Sequence, residues 1–418
     1  MRTIPTHKVH ADIAAPPASA ASASGNAIEQ LARQLARDAD LQRRLSHSLD
    51  TARTRAADGI KPALFDALDW PLTPAAYLDY LGAFARLIPQ QTPAEPWRDP
   101  NNDGYQELHD RMTHFYWLID QPLDGDGTVL QADAWFAEWL VRYVRAWGSF
   151  LDTEDSLTAD TLASFAEHSP AYALAESQTF DGVSVSPSGF RTFNQFFARA
   201  LAPGARPITE PYSNAVLTAV ADAGFESQHA IADDGSFPDI TIKHAHAYAT
   251  VSQLLGADDE LAAAFAGGHY VHYHLKPYAY HRFHTPAAGR VIATRHLEGR
   301  VYLKTGIESG KLEGFNDASN GYEFVQQRGV LILDTSAAPG QNDIGRVALV
   351  PVGMGHVSSV RITAAPGGLL RKGDEFGLFM YGGSDVVVLF EARAHVELDE
   401  FAEDRMVGQT IGSALPAS

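Results

Sequence analysis

Hydrophobic periodicity changes character once along this chain, near residue 185, and that change limits the fold more than any other feature. Before it, apolar side chains recur at helical spacing. Trp135, Trp139, Tyr143 and Trp147 stand at i, i+4, i+8 and i+12, and Phe136, Leu140 and Val144 widen the stripe, so a helix is predicted over 131–150. Thr73 is placed as an N-cap with Pro74 at the first helical position; Tyr77, Leu81, Phe84 and Ile88 follow, and Pro89 stops that helix. Residues 27–57, dominated by Ala, Leu, Arg and Asp, read as helical too. After the change, apolar runs are short, β-branched and punctuated by Gly and Pro: Val216–Val220, Gly289–Ala293, Val330–Leu333, Val347–Val352, Val357–Ile362 and Val386–Phe390. The expected class is α+β, with a helical N-terminal part and a mostly β C-terminal part that keeps helices near 192–201 and 250–266.

The 418 residues suggest two domains. Residues 1–25, rich in Ala, Ser and Pro, read as a disordered tail without the compact apolar core of a secretory signal. Residues 26–180 then form a helical domain and 181–418 a second domain. All six tryptophans lie between Trp70 and Trp147. Such an aromatic stripe can bind a ligand, but core packing is its commoner use.

A net charge of −19 disfavours nucleic acid and anionic lipid surfaces as partners, although solubility alone explains such a charge. The chain has no cysteine, which excludes disulfides, zinc–thiolate sites, iron–sulfur clusters and Cys nucleophiles. No apolar run approaches the ~18–20 residues that span a bilayer, so no integral membrane anchor is expected and the cytoplasm is the expected location.

Three stretches can carry chemistry. Tyr280-His281-Arg282-Phe283-His284-Thr285-Pro286 follows the strand-like Tyr270–Leu275, which holds His272 and His274. Its imidazoles can serve as acid and base near neutral pH, bind a metal through His-x-His and His-x-x-His spacings, or be structural. Gly382-Gly383-Ser384-Asp385 is in isolation a turn. A Gly–Ser step is also a junction that a self-processing protein can use: no Cβ shields the Gly383 carbonyl, and Gly accepts strained backbone geometry. The Ser384 hydroxyl attacks if a base takes its proton. Asp222, between an apolar run and Gly224, is a turn residue unless a histidine needs orienting.

With these stretches in view, the chain resembles the phosphatidylserine decarboxylases. The resemblance rests on Phe193-Asn194-Gln195-Phe196-Phe197-Ala198-Arg199 through Arg206-Pro207-Ile208, the Asp222 segment, Tyr280–Pro286, Val352-Gly353-Met354-Gly355-His356-Val357-Ser358-Ser359 and Lys372–Phe390, in order over residues 190–398. It implies a mostly antiparallel β catalytic domain, self-cleaved between Gly383 and Ser384, in which Asp222 orients His284, His284 activates Ser384, and Ser384 becomes a pyruvoyl group. That group decarboxylates an amine substrate through a Schiff base without pyridoxal phosphate or a metal. It further implies His281 as the residue returning a proton, Met354, His356, Phe283 and Asp385 as substrate-binding residues, and a homodimer.

The chain departs from the membrane-bound members by lacking an anchor, by its added helical domain, and by Asp385 where the lipid enzymes usually have Thr. It is closer in layout to the soluble branch, which includes decarboxylases of free L-tryptophan, and Met354 also resembles that branch. The expected substrate is therefore a free, aromatic L-amino acid, with phosphatidylserine as the alternative. Two readings of other classes stand beside this one. A metal enzyme would use His272, His274, His281 and His284. A lipoyl-like carrier is suggested by Pro286–Val291 and Leu369–Asp374, but the hairpin that should bear a modified Lys has none.

Overall fold

The computed structural model describes residues 20–99, 104–123, 127–178, 189–242, 247–257, 260–315, 322–338, 341–353, 355, 359–381 and 384–415. Seven helices come first: α1 (Ala20–Arg37), α2 (Ala39–Gly59), α3 (Pro62–Ala67), α4 (Pro74–Phe84), α5 (Glu107–Trp117), α6 (Ala134–Leu151) and α7 (Ala159–His168). Then follow β1 (Ser177–Gln178), α8 (Phe193–Phe197), β2 (Ala200–Leu201), β3 (Val216–Thr218), β4 (Gly224–Ala230), β5 (Ser236–Ile242), β6 (Ala247–Thr250), α9 (Val251–Leu255), α10 (Glu260–Ala263), β7 (His269–Leu275), β8 (Arg282–His284) and β9 (Gly289–Leu297). The chain closes with β10 (Lys304–Glu308), β11 (Lys311–Phe315), β12 (Arg328–Asp334), β13 (Arg346–Gly353), β14 (Val360–Ile362), β15 (Leu369–Leu370), β16 (Glu375–Phe379), β17 (Ser384–Phe390), β18 (Val396–Leu398) and β19 (Thr410–Ala414).

The caps explain several boundaries. The Thr73 hydroxyl accepts from the Ala76 N–H at the start of α4, as its spacing predicts. Asp38 breaks the long helical stretch into α1 and α2 because its carboxylate caps the Leu41 N–H. Helix α1 begins at Ala20, so residues 20–25, assigned above to the tail, form its first turns. Residues 1–19 lie outside the described residues, as do Val357 and Ser358 of the run that ends in β14. In α6, Trp139, Tyr143 and Trp147 are fully buried, so the aromatic stripe is core.

The main sheet is antiparallel, with seven strands in the order β15-β9-β12-β13-β17-β7-β4. Both faces are covered. Val386, Val388 and Phe390 of β17 join the core shared with the helices. Val387 and Leu389 join a second core under α9 and α10. That is why 386–390 reads as an unbroken apolar run instead of alternating. Strand β17 is central, pairing with β13 (Gly353 opposite Ser384) and with β7 (Leu275 opposite Ser384). Residue 384 therefore begins an interior strand.

The helical part docks on the β10–β11 hairpin through buried polar contacts. Lys311 Nζ donates to Asp110 at 3.0 Å, with both side chains almost wholly buried. The Asp120 carboxylate accepts from the backbone and hydroxyl of Thr305, and Gln131 pairs with the backbone of Leu303. Removing one member of a buried ion pair strands the other, so Lys311→Met should lower unfolding stability by about 3–5 kcal/mol. Urea denaturation measures this, and adding Asp110→Leu should restore much of the loss.

Candidate active site

The segment before Ser384 enters an aromatic nest. Helix α8 is capped by Thr192, whose hydroxyl accepts from the Gln195 N–H, and it presents Phe193 and Phe197 to the interior. The Tyr381 ring meets Phe193 and Phe197 edge-on at 5.1 Å each, and Trp147 of α6 at 5.5 Å. The Tyr381 N–H donates to the Asn194 side-chain oxygen at 3.2 Å. Gly382, Gly383, Met354 and His356 lie outside the described residues, and of Ser384 the structure describes the backbone.

His281 belongs to this nest. Its ring stacks on Phe197 at 3.9 Å and is fully buried. Neither ring nitrogen makes a well-formed hydrogen bond among the described residues, although the Ala279 backbone lies near enough to interact with the ring. Burial, reinforced by the nearby Arg199 guanidinium, pushes its pKa well below the usual histidine value, so the ring is neutral at neutral pH. Arg199 is buried as well. Its Nη2 donates to the carbonyls of Tyr172, Tyr278 and Ala279, while Nε and Nη1 have no partner among the described residues.

His284 faces the other way. In extended chain, residues an odd number apart point to opposite sides. Thus His281 and Phe283 face inward, whereas Tyr280 and His284 share the opposite side, the Tyr280 hydroxyl lying 3.0 Å from His284 Nε2. His284 Nδ1 lies 2.8 Å from the Gly373 carbonyl. A carbonyl only accepts, so Nδ1 carries the proton and Nε2 offers its lone pair. Burial lowers the pKa of His284, which keeps that lone pair available. Gly373 holds the carbonyl in place with φ +81°, and a Cβ there would come within 2.4 Å of Ile208.

Two expected site residues make contacts that the expectation did not name. Asp222 does not hydrogen-bond His284. Its carboxylate is taken by Arg206, with Nη2 at 2.6 Å, and by the Val407 N–H at 2.8 Å. Both nitrogens of His284 already have nearer partners, so Asp222 reaches it only as a charge. Phe283 is fully buried against Phe376 and Phe379, 4.7 and 4.9 Å away. Arg199, Arg206 and Tyr280 carry no separate chemical signal in the sequence, although all three lie inside the motifs that carry the resemblance.

Asp385 also differs from expectation. It lies on the buried side of β17 away from the aromatic nest, fully enclosed, with His274 Nδ1 at 2.7 Å and His272 Nε2 at 3.5 Å. Burial opposes its charge, but His272 and His274 outweigh that and hold the carboxyl far below the usual range. His272 and His274 are thus engaged by a carboxylate. Among the described residues no group of three or more His, Asp or Glu is arranged to hold a metal ion.

Glu323 approaches the same cluster, accepting from the Tyr270 hydroxyl at 3.0 Å. Burial pushes its pKa up to about 7. A carboxyl with a raised folded-state pKa retains a proton that the unfolded chain releases, so stability falls as pH rises from about 4.5 to about 7. Glu323→Gln imitates the protonated form and should stabilise the protein at pH 8 by about 3 kcal/mol, at about 1.4 kcal/mol per unit. At pH 4 the gain should vanish; thermal unfolding at both pH values checks this.

A cavity of about 590 Å³ lies between the helical part and the β part, against Tyr381. His109, Glu313 and Lys276 supply charge to its wall, and Tyr105 and Tyr278 supply rings. Its size suits a small molecule.

The site's residues lie within a stretch that known proteins share. A family profile described as phosphatidylserine decarboxylase matches residues 193–413. Phosphatidylserine decarboxylase proenzyme 3 of Schizosaccharomyces pombe is 34% identical over 209 residues, covering 50% of this chain and 20% of that protein. A phosphatidylserine decarboxylase proenzyme of Chlamydia trachomatis is 33% identical over 209 residues, covering 50% of this chain and 62% of that one. Decarboxylase iboD of Amanita muscaria is 27% identical over 288 residues, covering 64% and 79%. The chain thus spans less than two thirds of the length of the first two, while the profile reaches from α8 through the histidines of β7 and β8 to β19. Over more than half of its length, this chain belongs to the phosphatidylserine decarboxylase family.

Proposed function

We propose that this chain is a self-processing, pyruvoyl-dependent decarboxylase whose substrate is a free amino acid. The observation that carries the reading is His281: a buried, neutral imidazole without a well-formed side-chain hydrogen bond among the described residues, stacked against Phe197, itself packed on the tyrosine that leads into Gly382-Gly383-Ser384. An orphaned buried polar group of this kind costs stability and calls for a ligand or a reaction.

In this reading Ser384 attacks the Gly383 carbonyl carbon and gives its hydroxyl proton towards His284, whose neutral Nε2 is the available base, with Tyr280 placed to relay it. The peptide C–N bond breaks and an ester forms. Elimination frees the Gly383 carboxylate, and water replaces the nitrogen of residue 384, which leaves as ammonia. The pyruvoyl ketone left at residue 384 supplies a carbonyl that condenses with the substrate amine and takes up the electron pair released with carbon dioxide. His281, neutral at rest, takes up a proton and delivers it to the substrate carbon, returning to its neutral form. Because burial lowers its pKa, its protonated form is a stronger acid than free imidazole, which suits it to protonate carbon. Asp222, fixed by Arg206, supplies negative charge near His284 without touching it.

The cavity supports a small substrate. Its wall is built partly by the helical part, through His109 and Tyr105, and its tyrosines favour an aromatic side chain. No helix among the described residues is long and apolar enough to cross a membrane. The printed names of the relatives favour the second reading, a decarboxylase of phosphatidylserine. Carbon dioxide release from a panel of free L-amino acids, alongside dispersed phosphatidylserine, separates the two. Turnover of an aromatic amino acid without turnover of the lipid is expected, and turnover of the lipid alone overturns the choice of substrate.

A further inference from the structure

Asp385 is the residue after the proposed reactive serine, and it is held in an unusual way for a strand residue. Strand pairing sets it opposite His274 of β7. His272, two residues earlier on β7, faces the same side, so one carboxylate meets two imidazoles, at 2.7 and 3.5 Å. Asp385 and His272 are fully buried, while the His274 side chain is 26% exposed. On His272, burial disfavours charge, but Asp385 and then Glu323 outweigh it and raise its pKa.

Self-cleavage changes what this arrangement does. In the uncut chain residue 385 lies inside continuous backbone. After a cut at Gly383–Ser384 it becomes the second residue of the short chain 384–418, while β7 and β13 belong to the long one. The first residues of a strand fray when little ties them down. Here the fraying end would be the reacting residue itself. We propose that Asp385 is a positioning residue, a buried ionic clamp to His272 and His274 that keeps the newly made N-terminus of β17 seated between β7 and β13. Lifting residue 385 would strip a fully buried imidazole of its counter-charge, which makes the seated state strongly preferred. The clamp crosses the boundary between the two product chains. Its value therefore appears only once the chain is cut, and the inference rests on the self-processing reading above.

The test compares Asp385→Asn in two backgrounds, the self-processing protein and the uncut Ser384→Ala protein. Hydrogen exchange is read on peptides covering 384–390, with cleavage followed on a denaturing gel. The expected result is normal cleavage of Asp385→Asn. Exchange at the start of β17 should rise about tenfold in the cut protein and less than about threefold in the uncut one, a tenfold change corresponding to a loss of about 1.4 kcal/mol in local stability. The kcat should fall about tenfold while KM moves less. Equal exchange in the two backgrounds would make Asp385 a merely structural residue and overturn the proposal. So would unchanged exchange with unchanged kcat. If Asp385→Asn fails to fold, His274→Asn, at the partly exposed partner, should give the same pattern at smaller amplitude, and its absence overturns the proposal equally. A wild-type protein that stays whole sinks the self-processing reading as well, and the gel reveals that before any variant is examined.

Discussion

Ser384→Ala should run as a single chain of 418 residues and release no carbon dioxide from any substrate, whereas the unaltered protein should separate into 1–383 and 384–418. Removing one hydroxyl oxygen takes away the nucleophile and the only atom from which the reactive group can be made. Nothing else in the segment replaces it: the chain has no cysteine, and the two preceding residues are glycines. Folding should be intact, because β17 owes its place to backbone pairing with β13 and β7 and to the apolar side chains of 386–390. Intact mass on the purified protein checks this directly. Cleavage of the variant at the same bond would remove Ser384 from the mechanism while leaving the family assignment untouched.

His281→Gln should cut normally and then turn over poorly. A positioned proton donor contributes about 10²–10⁴-fold, so kcat should fall by that order with cleavage preserved. The contrast with His284→Gln is diagnostic, because that change removes the proposed base and should slow cleavage itself. The two histidines face opposite sides of the segment 280–284, so one substitution disturbs little of the other's surroundings. The pH profile adds a check. His281 donates from its protonated form and its pKa is lowered, so the fall in kcat with rising pH that it governs should set in below the range of an ordinary histidine, and that limb should disappear in the variant. Loss of cleavage in His281→Gln to the same degree as in His284→Gln would merge the two roles.

The elements of this fold were legible wherever local signals suffice. The Thr73 cap, the α6 stripe and the apolar runs that became β3, β9, β12, β13 and β17 are all written in short windows of sequence. The single helix expected near 250–266 is two, because Gly256 takes a left-handed backbone and ends α9. At the site, residue types were legible and partners were not. Asp222 finds Arg206 across a loop, and Asp385 finds His274 across 111 positions of sequence, through a strand register that no local pattern encodes. Glu323 carries no signal of its own, since a lone Glu between Tyr322 and Phe324 does not by itself announce burial. The opposite facing of His281 and His284, by contrast, follows from their odd spacing once the segment is taken as extended.

The interior position of β17 has a consequence for how long such a protein lasts. In the proposed self-cleaved form, a strand bordered on both edges by the other product cannot leave without breaking both ladders and exposing two cores. The two pieces therefore stay together after the bond is gone. They were joined by a chain that no longer exists, so an unfolded molecule must reassemble from two separate partners, at a rate set by their concentration. On the self-processing reading, each molecule folds once as a single polypeptide, and thereafter its persistence is governed by a rate of opening rather than by a reversible balance.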